Sequence, residues 1–228
     1  MNRISSVIHI HLKNKHLWIS LPWFILLVPV FGTNILIASF TKTPIYTGGL
    51  ASIYIFMFIV GTMTLSDTLP FALGFSVRRI DYFLGTMIMV VAISAASAMA
   101  LLLLSVVEHD LAMGWGTALH FFDLPYVNDG SLIGQFWIYF SAMIHLYLLG
   151  FVISSLYYRF GRKGMYIFFI AVFLCFSLAG YLLTYFNQWG VIFGWLVQHS
   201  AFELALWAFP MTVGYALLSL LLLRKATV

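Results

Sequence analysis

Few residues in this sequence have the chemistry to act on anything, and their placement narrows the choice. His145 lies near the middle of an apolar run, where an ionisable side chain is a functional candidate by default. The plainer reading is a neutral imidazole hydrogen-bonded to a neighbouring helix. A haem would want a second axial ligand or a defined partner, and no other His falls at a similar depth. Glu203 stands at the start of the last apolar run, either hydrated or placed to touch a cargo or gate an exit. Asp67 closes another run, near Arg78 and Arg79 in sequence. An ion pair anchoring the helix end and a joint that transmits a partner's movement both fit it. His109, His120, Glu108, Asp110 and Asp123 share one loop, but their spacing fits no tight ligand motif, so solvated charges are expected rather than a metal.

Other chemistries are missing. The single cysteine, Cys175, allows neither an internal disulfide nor a Cys-based metal site. There is no G-x-x-x-x-G-K-[ST] phosphate loop and no H-E-x-x-H pair. Gly74-Phe-Ser-Val-Arg78 lacks the last Gly of a nucleophile elbow. Gly161-Arg-Lys-Gly164 reads as a basic turn.

Positioning these residues falls to membrane helices. Of 228 residues, 63% are hydrophobic and 8% charged, against about 45–50% and about 25% in soluble domains. That excludes a soluble enzyme, a disordered chain and a nucleic-acid-binding domain. Long unbroken apolar runs, rather than weak alternation, exclude a membrane β-barrel. The sequence predicts an all-α polytopic membrane domain over residues 1–228, with spans at about 17–40, 47–69, 82–106, 131–157, 165–186 and 201–223.

Charge gives the orientation. Arg3, Lys13, Lys15, Arg78, Arg79, Arg159, Arg162, Lys163, Arg224 and Lys225 fall on one side of this layout, and only Lys42 on the other. The positive-inside rule then places both termini in the cytoplasm, which requires an even number of crossings. No cleavable signal peptide is visible, so the first span is expected to act as an uncleaved anchor in the cell membrane. Residues 1–16 carry Ile4, Val7, Ile8, His11 and Leu12 at helical spacing, and predict an amphipathic helix on the membrane surface.

Two connections are unusually apolar. Leu69 to Asp81 reads as a short helix started by Pro70 and docked at the cytoplasmic face. Asn187 to Ser200 holds an apolar stretch, Val191 to Val197, that is too short to span, so a re-entrant or interfacial helix is expected. Pro22, Pro29 and Pro210 lie inside spans, where each removes a backbone donor. Ala92, Ala96 and Ala100 form a small-residue stripe that would permit close helix contact.

This layout resembles the membrane subunit of an ABC exporter of the ABC-two permease family. The resemblance covers essentially the whole chain and rests on layout more than on sharp motifs. Its most suggestive string is Leu69-Pro-Phe-Ala-Leu-Gly-Phe-Ser-Val-Arg-Arg-Ile-Asp-Tyr-Phe-Leu-Gly-Thr86, similar to the family's coupling helix, basic pair and third-span start. The resemblance implies a coupling helix at about Pro70 to Arg79, with Asp67, Pro70, Phe75, Arg78 and Arg79 as coupling residues. Asp67 stands where the family often carries Glu. The interfacial helix would run from about Arg3 to His16, with Arg3, Ile4, Ile8, Leu12 and Lys13 along it.

The resemblance further implies a permease that is not itself an enzyme and binds no cofactor or metal. Two cytoplasmic ATPase subunits would hold the ATP and Mg, and a second permease, identical or related, would pair with this one among membrane lipids. Charge is scarce within the spans, so the expected cargo is hydrophobic, lipid-like or peptide, with His145 and Glu203 as possible path or gate residues. Two alternatives remain: the substrate-binding membrane subunit of a vitamin importer, which should show a concentrated polar pocket, and an intramembrane enzyme, which needs paired ionisable groups at one depth. No nucleic-acid partner is expected.

Overall fold

The computed structural model describes residues 3–14, 16–41, 43–127 and 130–224; Lys15, Lys42 and Lys225, which enter the charge reading, lie outside the described residues. The elements are α1 (Arg3–Lys13), α2 (His16–Ser39), β1 (Ile45–Tyr46), α3 (Ala51–Gly74), α4 (Arg79–Val106), β2 (Leu119–His120), α5 (Leu132–Tyr185), α6 (Trp189–Gln198) and α7 (Ala201–Arg224). The chain is helical, and α2, α3, α4, α5 and α7 are long and apolar enough to cross a membrane.

Helix α5 has 54 residues. Unbroken, it would run about 80 Å, well over twice a bilayer core of about 30 Å. Gly161 interrupts it with φ 67° and ψ −169°, a conformation open essentially to glycine alone. The break falls in the Gly161–Gly164 basic turn. From Gln135 to Ser155 the helix is buried or half-buried; from 162 to 185 it is mostly exposed, and α6 has no buried residue.

The core lies between α3, the first part of α5, α4 and α7. At the α3–α5 crossing, Gly61 faces the Tyr147 carbonyl and Gly150 faces the Phe58 carbonyl so closely that neither position has room for a Cβ. Missing side chains thus bring two backbones into contact, the usual route to tight packing where lipid offers no hydrophobic drive. The alanine stripe does not play this part: Ala92 and Ala96 are exposed. Small size at a regular spacing does not decide which helix face meets a neighbour.

Helix α2 answers its prolines with widened π turns at His16–Ser20 and Leu26–Phe31, the second containing Pro29. Thr33 donates to the Pro29 carbonyl at 2.6 Å and Asn34 to the Val30 carbonyl at 2.8 Å, so side chains take up main-chain acceptors in this irregular stretch.

The expected separate coupling helix is absent. Helix α3 runs through Pro70 to Gly74. Proline already carries a helix-compatible φ, and the helix continues past it at the cost of one main-chain hydrogen bond. A Schellman closure ends it: Val77 N–H donates to the Ala72 carbonyl at 3.1 Å, Ser76 N–H to the Leu73 carbonyl at 2.9 Å, and Ser76 takes φ 58°. The four residues from Phe75 to Arg78 form a tight turn, and extended Arg78 caps α4.

Candidate functional site

The residues expected at the Arg79 end of the bundle fall in one region, built from α1, the α3–α4 turn and the end of α7. Helix α1 seats Val7 on Gly85 of α4, where an added Cβ would come within 2.7 Å of Val7. Val7 and His11, one turn apart, are fully buried, while Ile4 and Ile8 are partly buried. Arg3, Lys13 and also Leu12 are exposed, so the contact stripe is centred on Val7 and His11 rather than on Leu12.

His11 joins α1 to the bundle. Thr86 donates its hydroxyl to the Tyr82 carbonyl at 2.9 Å. The 3.0 Å contact between His11 Nε2 and Thr86 Oγ1 therefore has the imidazole N–H as donor. Nδ1 keeps its lone pair, buried with no hydrogen-bond partner among the described residues. A proton there would find no acceptor, and burial pushes the His11 pKa down to about 4. The His11 ring also packs on Trp18 at 5.1 Å and Tyr82 at 6.0 Å. From Tyr82 the polar chain continues to Thr68 at 2.7 Å. Tyr147 of α5 donates to Thr64 at 3.0 Å. Tyrosines and threonines from three long helices thus form one buried patch against which α1 docks.

Of the expected coupling residues, Asp67 and Phe75 share a cavity of about 450 Å³ with Lys13, bounded also by Ile10, Asn14, Thr68 and Phe71. Asp67 is half-buried and accepts from the Ser66 hydroxyl at 3.3 Å. Phe71 and Phe75 are 65% and 75% exposed, one helical turn apart, and Arg78 is exposed beside them. Arg79 points elsewhere: its Nη1 donates to the Arg224 carbonyl at 3.2 Å, tying the start of α4 to the end of α7. Pro70 is exposed on α3.

The other ionisable candidates do different work. His145 donates through Nδ1 to Thr212 Oγ1 at 2.8 Å, since Thr212 itself donates to the Ala208 carbonyl. That is the plainer reading of His145, a link between α5 and α7. Glu203 completes a capping box, accepting from Ser200 N–H at 3.0 Å while Glu203 N–H donates to Ser200 Oγ at 3.2 Å. Its carboxylate is engaged at its own helix start, not aimed along a path.

At the opposite end the loop from Val107 onward is folded. Glu108 is 1% exposed and accepts from the main-chain N–H groups of Phe121, Phe122 and Asp123 and from the Trp115 indole, at 2.6–3.0 Å. The rings of Phe31, Trp115, Phe121 and Phe122 pack on one another, so α2 meets this loop. Strands β1 and β2 pair in parallel, and Tyr46 stacks on His120 at 4.6 Å. Solvated loop charge is therefore the wrong description of Glu108, though it suits His109, which is exposed and pairs with Asp123 at 3.0 Å. Among the described residues no group of three or more His, Cys, Asp or Glu could hold a metal ion.

Neither a protein-family model, nor a curated protein, nor a solved structure matches the chain.

Proposed function

We propose that this chain is the permease subunit of an ATP-driven ABC exporter, moving a hydrophobic, lipid-like or peptide cargo out of the cytoplasm or inner leaflet. It crosses the cell membrane six times, with α5 contributing two crossings about Gly161, and both termini lie in the cytoplasm. Helix α6 is a re-entrant or interfacial element. A second permease packs against this one, and two ATPase subunits, carrying the ATP and Mg, dock at the Arg79 end.

One observation carries the reading. The exposed Phe71, Phe75 and Arg78 stand at a rigid turn beside a docked amphipathic helix, and the buried patch behind them joins that helix to three long ones. A push on this surface reaches the whole bundle, because packed interfaces shift as units rather than deform locally. The coupling surface is therefore a turn with an aromatic pair, and Arg79 holds the bundle together behind it. The mostly exposed 162–185 segment and α6 offer apolar surface to lipid or to the second permease. The test is co-purification from native membranes: a nucleotide-binding partner should accompany the tagged chain, and Phe75→Ala with Arg78→Ala should release it.

A further inference from the structure

Residues 162–185 of α5 form a helix of membrane-spanning length that the rest of the chain hardly touches. No hydrophobic side chain between 162 and 200 belongs to the core or packs against it. The half-buried side chains of this segment, Met165, Phe168, Val172 and Leu183, fall on one side of the helix, and that side is apolar. Five residues of the segment carry hydroxyls, Tyr166, Ser177, Tyr181, Thr184 and Tyr185, and all five are exposed. At about 100° per residue, they stand about 120–180° around the helix from the middle of the apolar side.

That is the reverse of a span whose outer face meets only acyl chains, because small and hydroxyl-bearing residues collect where membrane helices meet. Ile170, Leu174, Ser177, Tyr181 and Thr184 follow one another along this outer face at alternating spacings of four and three, the period of a seam between two helices.

Extent and charge identify what covers the face. The chain exposes 13288 Å², whereas a compact chain of this mass exposes about 10,500 Å². The surplus, about 2,800 Å², is on the scale that one protomer gives up in a large obligate interface. From Gly164 to Phe202 there is no Asp, Glu, Lys or Arg. A face reserved for a different subunit needs a repulsive element to keep two copies apart, and this one has none. About a twofold axis each residue meets its own equivalent, so an uncharged face pairs with itself without repulsion.

We infer that the Ile170–Thr184 face is the seam between two copies of this chain, paired about a twofold axis along the membrane normal. Ser177 and Tyr181 then face the other copy rather than lipid. The pairing rests on the exporter reading for its purpose, since it names the second permease as an identical chain, but not for its geometry.

The test is photo-cross-linking in native membranes, with benzoylphenylalanine in place of Tyr181 and two differently tagged copies in the same cells. The expected product has twice the chain mass, carries both tags, and maps to residues 170–185 of the second copy. Capture of a different protein, of lipid or the same chain alone, or of a second copy through another element would overturn the assignment. The Leu174→Ala, Tyr181→Ala double variant should lower recovery of one tag through the other about tenfold or more, with the Met113–Val127 loop still resistant to protease. Undiminished recovery would also overturn it. ATPase retention is scored in the same preparations. A self-cross-link without ATPase keeps the seam and removes the exporter reading, whereas an ATPase with a different permease at Tyr181 does the opposite.

Discussion

His11 on the N-terminal helix and Thr86 on α4, 75 residues apart in sequence, meet at 3.0 Å in the buried interior. Their bond uses the one imidazole hydrogen available and leaves Nδ1 with no acceptor among the described residues for a second. Docked His11 therefore stays neutral down to about pH 4, whereas the undocked helix takes up its proton near 6.5.

The sign of the pH effect follows. Above about pH 6.5 neither state is protonated and docking is pH-independent. As the pH falls toward 4, the undocked state alone gains a proton, so docking weakens, by up to about 3 kcal/mol over the window. Hydrogen exchange of the α1 amides, corrected for intrinsic rates, should rise between pH 7 and pH 5. His11→Phe should abolish that rise, and His11→Lys should leave α1 exchanging fast at both values. A pH-independent wild type would contradict the buried neutral imidazole.

Glu108 anchors the loop that closes the other end. Replacing it with Ala strands three main-chain N–H groups and the Trp115 indole in a buried site. Unpaired buried donors cost about 1–3 kcal/mol each, so the loop should open rather than bear the loss. Glu108→Ala should red-shift the Trp115 emission and admit protease between Met113 and Val127, leaving the rest of the bundle intact. Persistent protection of that loop would mean that the aromatic packing holds it without the carboxylate.

The α3–α5 crossing depends on two absent side chains. Gly61→Leu or Gly150→Leu inserts bulk where a carbonyl of the facing helix already sits. Overpacking of this kind costs about 1–3 kcal/mol or more. Either variant should lower the thermal midpoint in detergent and break the Tyr147–Thr64 contact, whereas Gly180→Leu, where an added Cβ meets nothing within 4 Å, should be tolerated. Equal tolerance at all three positions would argue against the close crossing.

How much of this was legible depends on how local each cause is. The apolar runs marked the long helices because bilayer thickness sets a length that shows in any window. Gly161 was legible as a turn through its basic neighbours, and Trp189–Gln198 as an apolar helix too short to span. Ser200-x-x-Glu203 is an open capping-box signal, although the charge near a helix end is the more conspicuous feature of Glu203. Glu108 had no such signal, because its partners are main-chain N–H groups 13 to 15 residues away, identical in every sequence. Pro70 suits a helix start because that is where free prolines gather, but the helix runs through it and the Schellman turn six residues later ends it instead. Arg79 could not be told from Arg78 in sequence; only the end of α7, arriving from the far terminus, separates their roles.

The most direct test of the central claim is a mild-detergent pull-down of the tagged full chain from its native membranes, with identification of every co-purifying protein. The expected result is a cytoplasmic ATPase bearing G-x-x-x-x-G-K-[ST], retained by the wild type and by Glu203→Gln. It should be lost from the Phe75→Ala, Arg78→Ala double variant, which should still keep α1 docked through His11. A well-folded preparation that brings down no such ATPase would contradict the exporter reading.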